Sequence, residues 1–175
     1  MLMMASLHSG AILFGGPFKT RAGLAVPAAR DCALDARRGD MIERVAIETL
    51  IRDAYAARHR GDLDALMDYF HPQCSYRLAG GPQAAEVFVQ PDGIEAVREQ
   101  MAGLIATYVF SNVEELAMTV DGETATLHWR ADVACKPTGR SGSFEIMDVF
   151  TVSDGKLKSV TQFTDTAGVA RLSSI

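Results

Sequence analysis

A chain of 175 residues suits one domain that can bury a substantial core without a disulfide framework. Its hydrophobic fraction of 48% and charged fraction of 22% are those of an ordinary globular protein, and a formal net charge of -5 argues against nucleic acid as the main partner, since phosphate binding needs a basic surface. No apolar run is long enough to span a membrane, and Cys32, Cys74 and Cys135 are too scattered for a disulfide set or a zinc site, so reduced thiols and a cytoplasmic location are expected.

Residues 1–40 differ in character from the rest. They are rich in Gly and Pro, lack periodicity, and contain no acidic residue before Asp31. The apolar run from Ala11 to Phe14 is too short for a secretory signal. Two readings stay open: a disordered native tail, or a start codon assigned too early, with Met41 as the true start. The folded domain is expected over residues 41–175.

From Met41 the pattern is helical. Ile42, Val45, Leu50, Ala54 and Tyr55 recur at helical spacing between charged residues, and Gly61 is a natural C-terminal stop. His59, at that helix end, reads as a surface residue favoured by the helix dipole. Asp62 can cap a short second helix carrying Leu63, Leu66, Met67 and Phe70 on one face. His71-Pro72 ends it, Cys74 to Leu78 is a candidate strand, and Gly80-Gly81-Pro82 breaks that strand. A third helix follows Pro91, with Asp92 and Glu95 spaced as a capping box and Ile94, Val97, Met101 and Leu104 on its apolar face.

After Tyr108 the chain turns to strands. The first runs to about Thr119, and Asp121-Gly122 marks a hairpin. Three more strand-like runs lie between His128 and Asp165, the last two joined by Ser153-Asp154-Gly155. Helices followed by an antiparallel sheet define an α+β domain with helices packed on one face of the sheet.

Side-chain alternation puts His128, Arg130 and Asp132 on one face of their strand and Trp129 on the other. A three-residue loop at 153–155 sets Asp148 opposite Val160 and Ile146 opposite Gln162. Asp148, Val160 and Gln162 then share a face. Whether that is also the face of Arg130 and Asp132 depends on the register through the 136–143 loop; an odd loop length would unite them. Ile146 and Phe150 flank Asp148, and a carboxylate in such company is paired with a cation or carries a raised pKa. Trp129 suits core packing or a dimer interface equally. The four histidines are too scattered for a metal set.

These residues resemble the nuclear transport factor 2-like superfamily, also called SnoaL-like or ketosteroid isomerase-like. The resemblance covers residues from about Met41 to Leu172 and rests on G-D-L-D-A-L-M-D-Y-F, G-I-E-A-V-R-E-Q and the D-G-K-L turn. It implies a cone-shaped curved antiparallel sheet with three N-terminal helices (a cystatin-like α+β roll) and a pocket inside. Arg130-Ala131-Asp132 before Pro137-Thr138-Gly139-Arg140 is locally similar to limonene-epoxide hydrolase. That similarity implies a catalytic arginine at Arg130 and a catalytic carboxylate at Asp132, with a water-holding tyrosine at Tyr76; the remaining carboxylate and asparagine fall on Gln162 and Leu78. F-E-I-M-D-V-F resembles the ketosteroid isomerase strand that bears an oxyanion-hole aspartic acid, here Asp148.

Two functions follow as expectations. One is an acid-base enzyme without metal or organic cofactor, acting on a small apolar substrate by isomerisation, epoxide hydrolysis, dehydration or cyclisation. Asp132, Arg130 and Asp148 would be catalytic, and Tyr76, Leu78, His128, Ile146, Val160 and Gln162 would line the substrate site. The other is a non-catalytic ligand-binding or dimeric module of the same fold. A homodimer is expected in either case, with no nucleic-acid or membrane partner.

Overall fold

The computed structural model describes residues 29–80 and 90–174. In chain order they form α1 (Ala29–Arg60), α2 (Leu63–Met67), β1 (Phe70–Leu78), α3 (Ile94–Thr107), β2 (Tyr108–Asp121), β3 (Thr124–Cys135), β4 (Ser141–Ser153), β5 (Lys156–Phe163) and α4 (Thr166–Ser173). The readings made for residues 1–28, and for Gly81 and Pro82, lie outside the described residues. No helix among the described residues is long and apolar enough to cross a membrane.

The fold is α+β: a curled, unclosed five-stranded sheet in the order β1-β5-β4-β3-β2, with helices against its inner face. Every neighbouring pair is antiparallel except β1 and β5, which run parallel. A parallel pair needs a long crossover, and here α3 and three strands intervene between the two partners. Pro72 lies inside β1, where the ladder is interrupted between Phe70 and Ser75; an edge strand tolerates the missing N–H.

The helices begin and end for local reasons. α1 starts at Ala29, upstream of the expected Met41, and runs through to Arg60. Its early apolar residues Met41, Ile42 and Val45 are exposed, and the packed stripe is Ile47, Ile51, Ala54, Tyr55, Ala57 and Arg58. Gly61 ends the helix at φ 74°, a left-handed conformation that costs glycine little. Asp62 caps α2 by accepting a hydrogen bond from the Ala65 N–H at 3.1 Å. α2 is shorter than expected, because Phe70 already belongs to β1. The expected capping box at α3 does not form. Asp92 is drawn into a bridge with Ser75, so the helix starts from Gly93 instead.

Burial alternates along β3 and β4, with odd-numbered residues of β3 and even-numbered residues of β4 facing inward. Trp129, Phe150, Ile51, Met101 and Leu157 are among the largest fully buried side chains. α4, which the sequence pattern did not mark, brings Leu172 into the same core. Cys74 and Cys135 are buried free thiols.

Candidate functional site

The β3–β4 connection decides which polar residues meet. Ala134 pairs with Ser141, and the intervening residues 135–140 are even in number. Asp148 is therefore opposite Leu127 and faces inward, whereas Arg130 pairs with Glu145 and Asp132 with Ser143 on the outer face. Asp148 cannot share a site with Arg130 and Asp132, because side-chain direction alternates along a strand. On the outer face Arg130 pairs with Glu114 at 2.7 Å, Asp132 accepts from Asn112 Nδ2 at 2.8 Å, and His128 Nε2 lies 2.6 Å from Glu145. The expected set of Asp132, Arg130 and Asp148 is thus divided, and His128 goes with the outer group.

The inner face gathers the others. At the β4–β5 turn Asp154 and Gly155 have φ values of 53° and 68°, which makes it a two-residue turn with both central residues left-handed. Ser153 therefore pairs with Lys156, and an irregularity after Thr151 brings Asp148 opposite Gln162 and Phe150 opposite Val160. The expected partner of Asp148 was Val160. The change of register leaves Asp148, Val160, Gln162 and Ile146 on one buried face, joined by Tyr76 and Leu78 from β1.

Asp148 is fully buried and is held by two donors. The Tyr55 hydroxyl donates to Oδ2 across 2.6 Å, and Trp129 Nε1 donates to the same oxygen across 2.7 Å. Oδ1 has no hydrogen-bond partner among the described residues. Beside this group, the Tyr76 hydroxyl donates to Gln162 Oε1 at 2.9 Å, and Gln162 Nε2 is buried with no hydrogen-bond partner among the described residues. Burial raises the pKa of Asp148, opposed by the positive charge of Arg58 and by the Tyr55, Trp129 and Gln162 side chains beside the carboxylate. Burial likewise pushes Tyr76 up to about 12.

Arg58, near the end of α1, is only 6% exposed and supplies the cation of this cluster. Its guanidinium lies 5.6 Å from the Tyr55 ring centroid and 5.2 Å from that of Phe110. Among the described residues no carboxylate comes within 4.0 Å of it. His59 is not a surface residue. Its ring packs against Tyr55, Phe110 and Trp129 at centroid distances of 5.9, 5.6 and 5.5 Å, and burial with the neighbouring Arg58 charge lowers its pKa to about 4.

A cavity opens next to the cluster. It holds about 450 Å³ free of atoms, mouth included, of which about 40 Å³ admits the centre of a water-sized sphere. Arg58, Gln162, Thr164 and Tyr108, whose hydroxyl is paired with Ser173 at 2.6 Å, are its polar residues; Leu78, Phe110, Phe144, Ile146 and residues of α4 are apolar. A smaller void of about 10 Å³ is lined by Arg58, Tyr55 and Tyr76 among others. No group of three or more metal-binding side chains occurs among the described residues.

Arg58, Tyr55 and Thr164 are site residues that the sequence reading missed. Arg58 sits in a run of basic residues at a helix end, which reads as solvated surface. The usable signal was spacing: Ile51, Ala54, Tyr55 and Arg58 fall at i, i+3, i+4 and i+7 on one helix face.

Comparison with known proteins fits this architecture. The SnoaL-like domain family matches residues 51–160. No curated protein matches the chain by sequence. Among solved structures, an NTF2-like protein of unknown function from Burkholderia pseudomallei aligns with a TM-score of 0.64 at 18% identity, covering 74% of this chain and 98% of that one. An epoxide hydrolase of the LEH-like type from M. tuberculosis aligns at 0.60 and 16% identity, covering 74% and 93%. A protein from Bacillus subtilis, provisionally named an isomerase, aligns at 0.66 and 12% identity, covering 73% and 91%. At these identities the likeness is one of fold.

Proposed function

Because this chain belongs to the SnoaL-like domain family and sets a buried arginine at the wall of a cavity with a buried carboxylate behind it, we propose that it is an acid-base enzyme acting on a small, mostly apolar oxygenated compound. The observation that carries this reading is Asp148: a fully buried carboxylate with one oxygen bound twice and the other without a partner among the described residues. Burial brings its pKa up toward the range useful for proton transfer, and Tyr55 and Trp129 fix its orientation. In this reading Asp148 Oδ1 exchanges the proton through a bridging water, while Gln162 and Arg58 hold the oxygen functions of the ligand. Isomerisation, dehydration and cyclisation all need such a proton transfer. Epoxide hydrolysis by Arg130 and Asp132 is not proposed, because both lie outside the cavity.

One observation favours a second reading, a ligand-binding protein without turnover. Asp148 stands behind the cavity wall and does not line it. It would then serve as the counter-charge that lets Arg58 stay buried.

The two readings separate in deuterium oxide. Small cyclic and aryl ketones are incubated with the protein, and exchange of the proton beside the carbonyl is followed by NMR. Enzyme-dependent exchange that falls at least about a hundredfold in Asp148→Asn supports the enzyme. Ligands that bind without exchange leave the binding reading standing.

A further inference from the structure

We infer that the cavity ligand carries a carboxylate and that Arg58 is its anchor. This deepens the proposal that the cavity is the ligand site and rests on it. Guanidinium has five N–H donors in a fixed fork whose best partner is a carboxylate bound by two parallel hydrogen bonds. Arg58 is buried at the cavity wall beside the Tyr55 and Tyr76 hydroxyls and the Tyr55 and Phe110 rings, and no carboxylate among the described residues comes within 4.0 Å. Asp148 does not fill that role by contact, since its Oδ2 is taken by Tyr55 and Trp129 and it does not line the cavity.

Two further groups point the same way. Gln162 is 7% exposed, lines the cavity, and has its Oε1 engaged by Tyr76, so its free Nε2 can only donate. The Thr164 hydroxyl also lines the cavity and has no partner among the described residues. The polar wall is therefore a cation, an amide donor and a hydroxyl, a set suited to acceptor oxygens. Apart from Tyr108, whose hydroxyl is taken by Ser173, the rest is apolar, so the ligand is a compact acid with a hydrocarbon body.

The test compares benzoate and cyclohexanecarboxylate with their neutral carboxamides, by calorimetric titration of the full chain. Each acid should bind at least about tenfold more tightly than its amide, and Arg58→Gln should erase the difference. Should Arg58→Gln fail to fold, the near-isosteric Gln162→Glu should weaken the acid more than the amide. Amides that bind as well as the acids overturn the inference and leave the cavity reading intact. Absence of binding by both series overturns the inference and the cavity reading together.

Discussion

Tyr55 on α1 donates its hydroxyl to Asp148 on β4 across 2.6 Å, so the longest helix is tied to the middle of the sheet by a charged hydrogen bond inside the core. Tyr55→Phe keeps the ring packing against Trp129 and Phe150 but removes this donor. It should cost about 1–3 kcal/mol in urea unfolding, the range for depriving a buried charged group of a partner. A loss no larger than that of an exposed Tyr→Phe change would mean that the bond contributes nothing net.

Asp148 also predicts a pH dependence. Its folded-state pKa is raised above the ordinary value of 3.8 by burial. The folded state then binds the proton more tightly than the unfolded chain. Stability from this group is fully present below that ordinary value and is lost as pH rises through the folded pKa. Asp148→Asn cannot titrate, and its amide oxygen can still accept from Tyr55 and Trp129. Unfolding curves at a series of pH values should show the native protein losing stability relative to the variant as pH rises. Parallel curves would contradict the raised pKa.

His59 acts with the opposite sign. Its pKa falls from 6.5 to about 4, so it contributes stability above its unfolded pKa that is lost as pH drops through that window. His59→Phe preserves an aromatic ring among Tyr55, Phe110 and Trp129 while removing the titration. The variant should resist acid better than the native chain by about 1–2 kcal/mol at pH 4, less than the full shift implies because the ring is partly open to solvent. Equal acid sensitivity would place the acid-labile group elsewhere.

Outer-face changes should be nearly silent. Arg130→Ala breaks an exposed pair with Glu114, and Asp132→Asn alters a contact with Asn112. Each should change stability by less than about 1 kcal/mol and leave ligand affinity within twofold, since neither side chain reaches the cavity. A hundredfold loss of turnover in Asp132→Asn would restore it as the base.

The fold was legible because its markers are local. Gly61, the Asp62 cap and the Asp-Gly turns act within a few residues, and the Leu63–Met67 and Ile94–Leu104 stripes need only helical periodicity. The resemblance to the SnoaL-like family rested on those same stretches. The site was half legible. Asp148, Gln162, Tyr76, Leu78, Ile146 and Val160 do share a buried face, whereas Arg130, Asp132 and His128 do not. Their face hung on the register across residues 135–140, and no residue there announces whether an even or odd count separates the paired strands. Arg58 was hidden for a different reason. Basic residues beside a helix C-terminus are ordinarily solvated, and only packing against β2 and β3 shows that one of them turns inward.

The even spacing across that same turn also limits how this domain can change. Adding or deleting one residue there, with the ladder otherwise extended, would exchange the occupants of the two faces of β4. Asp148 would be delivered to solvent, and Glu145 and Met147 would be driven into the core. Single-residue insertions are therefore tolerable only if the extra residue loops out as a bulge. Changes by two preserve both faces, so length variants of this turn that fold without a bulge should occur in steps of two.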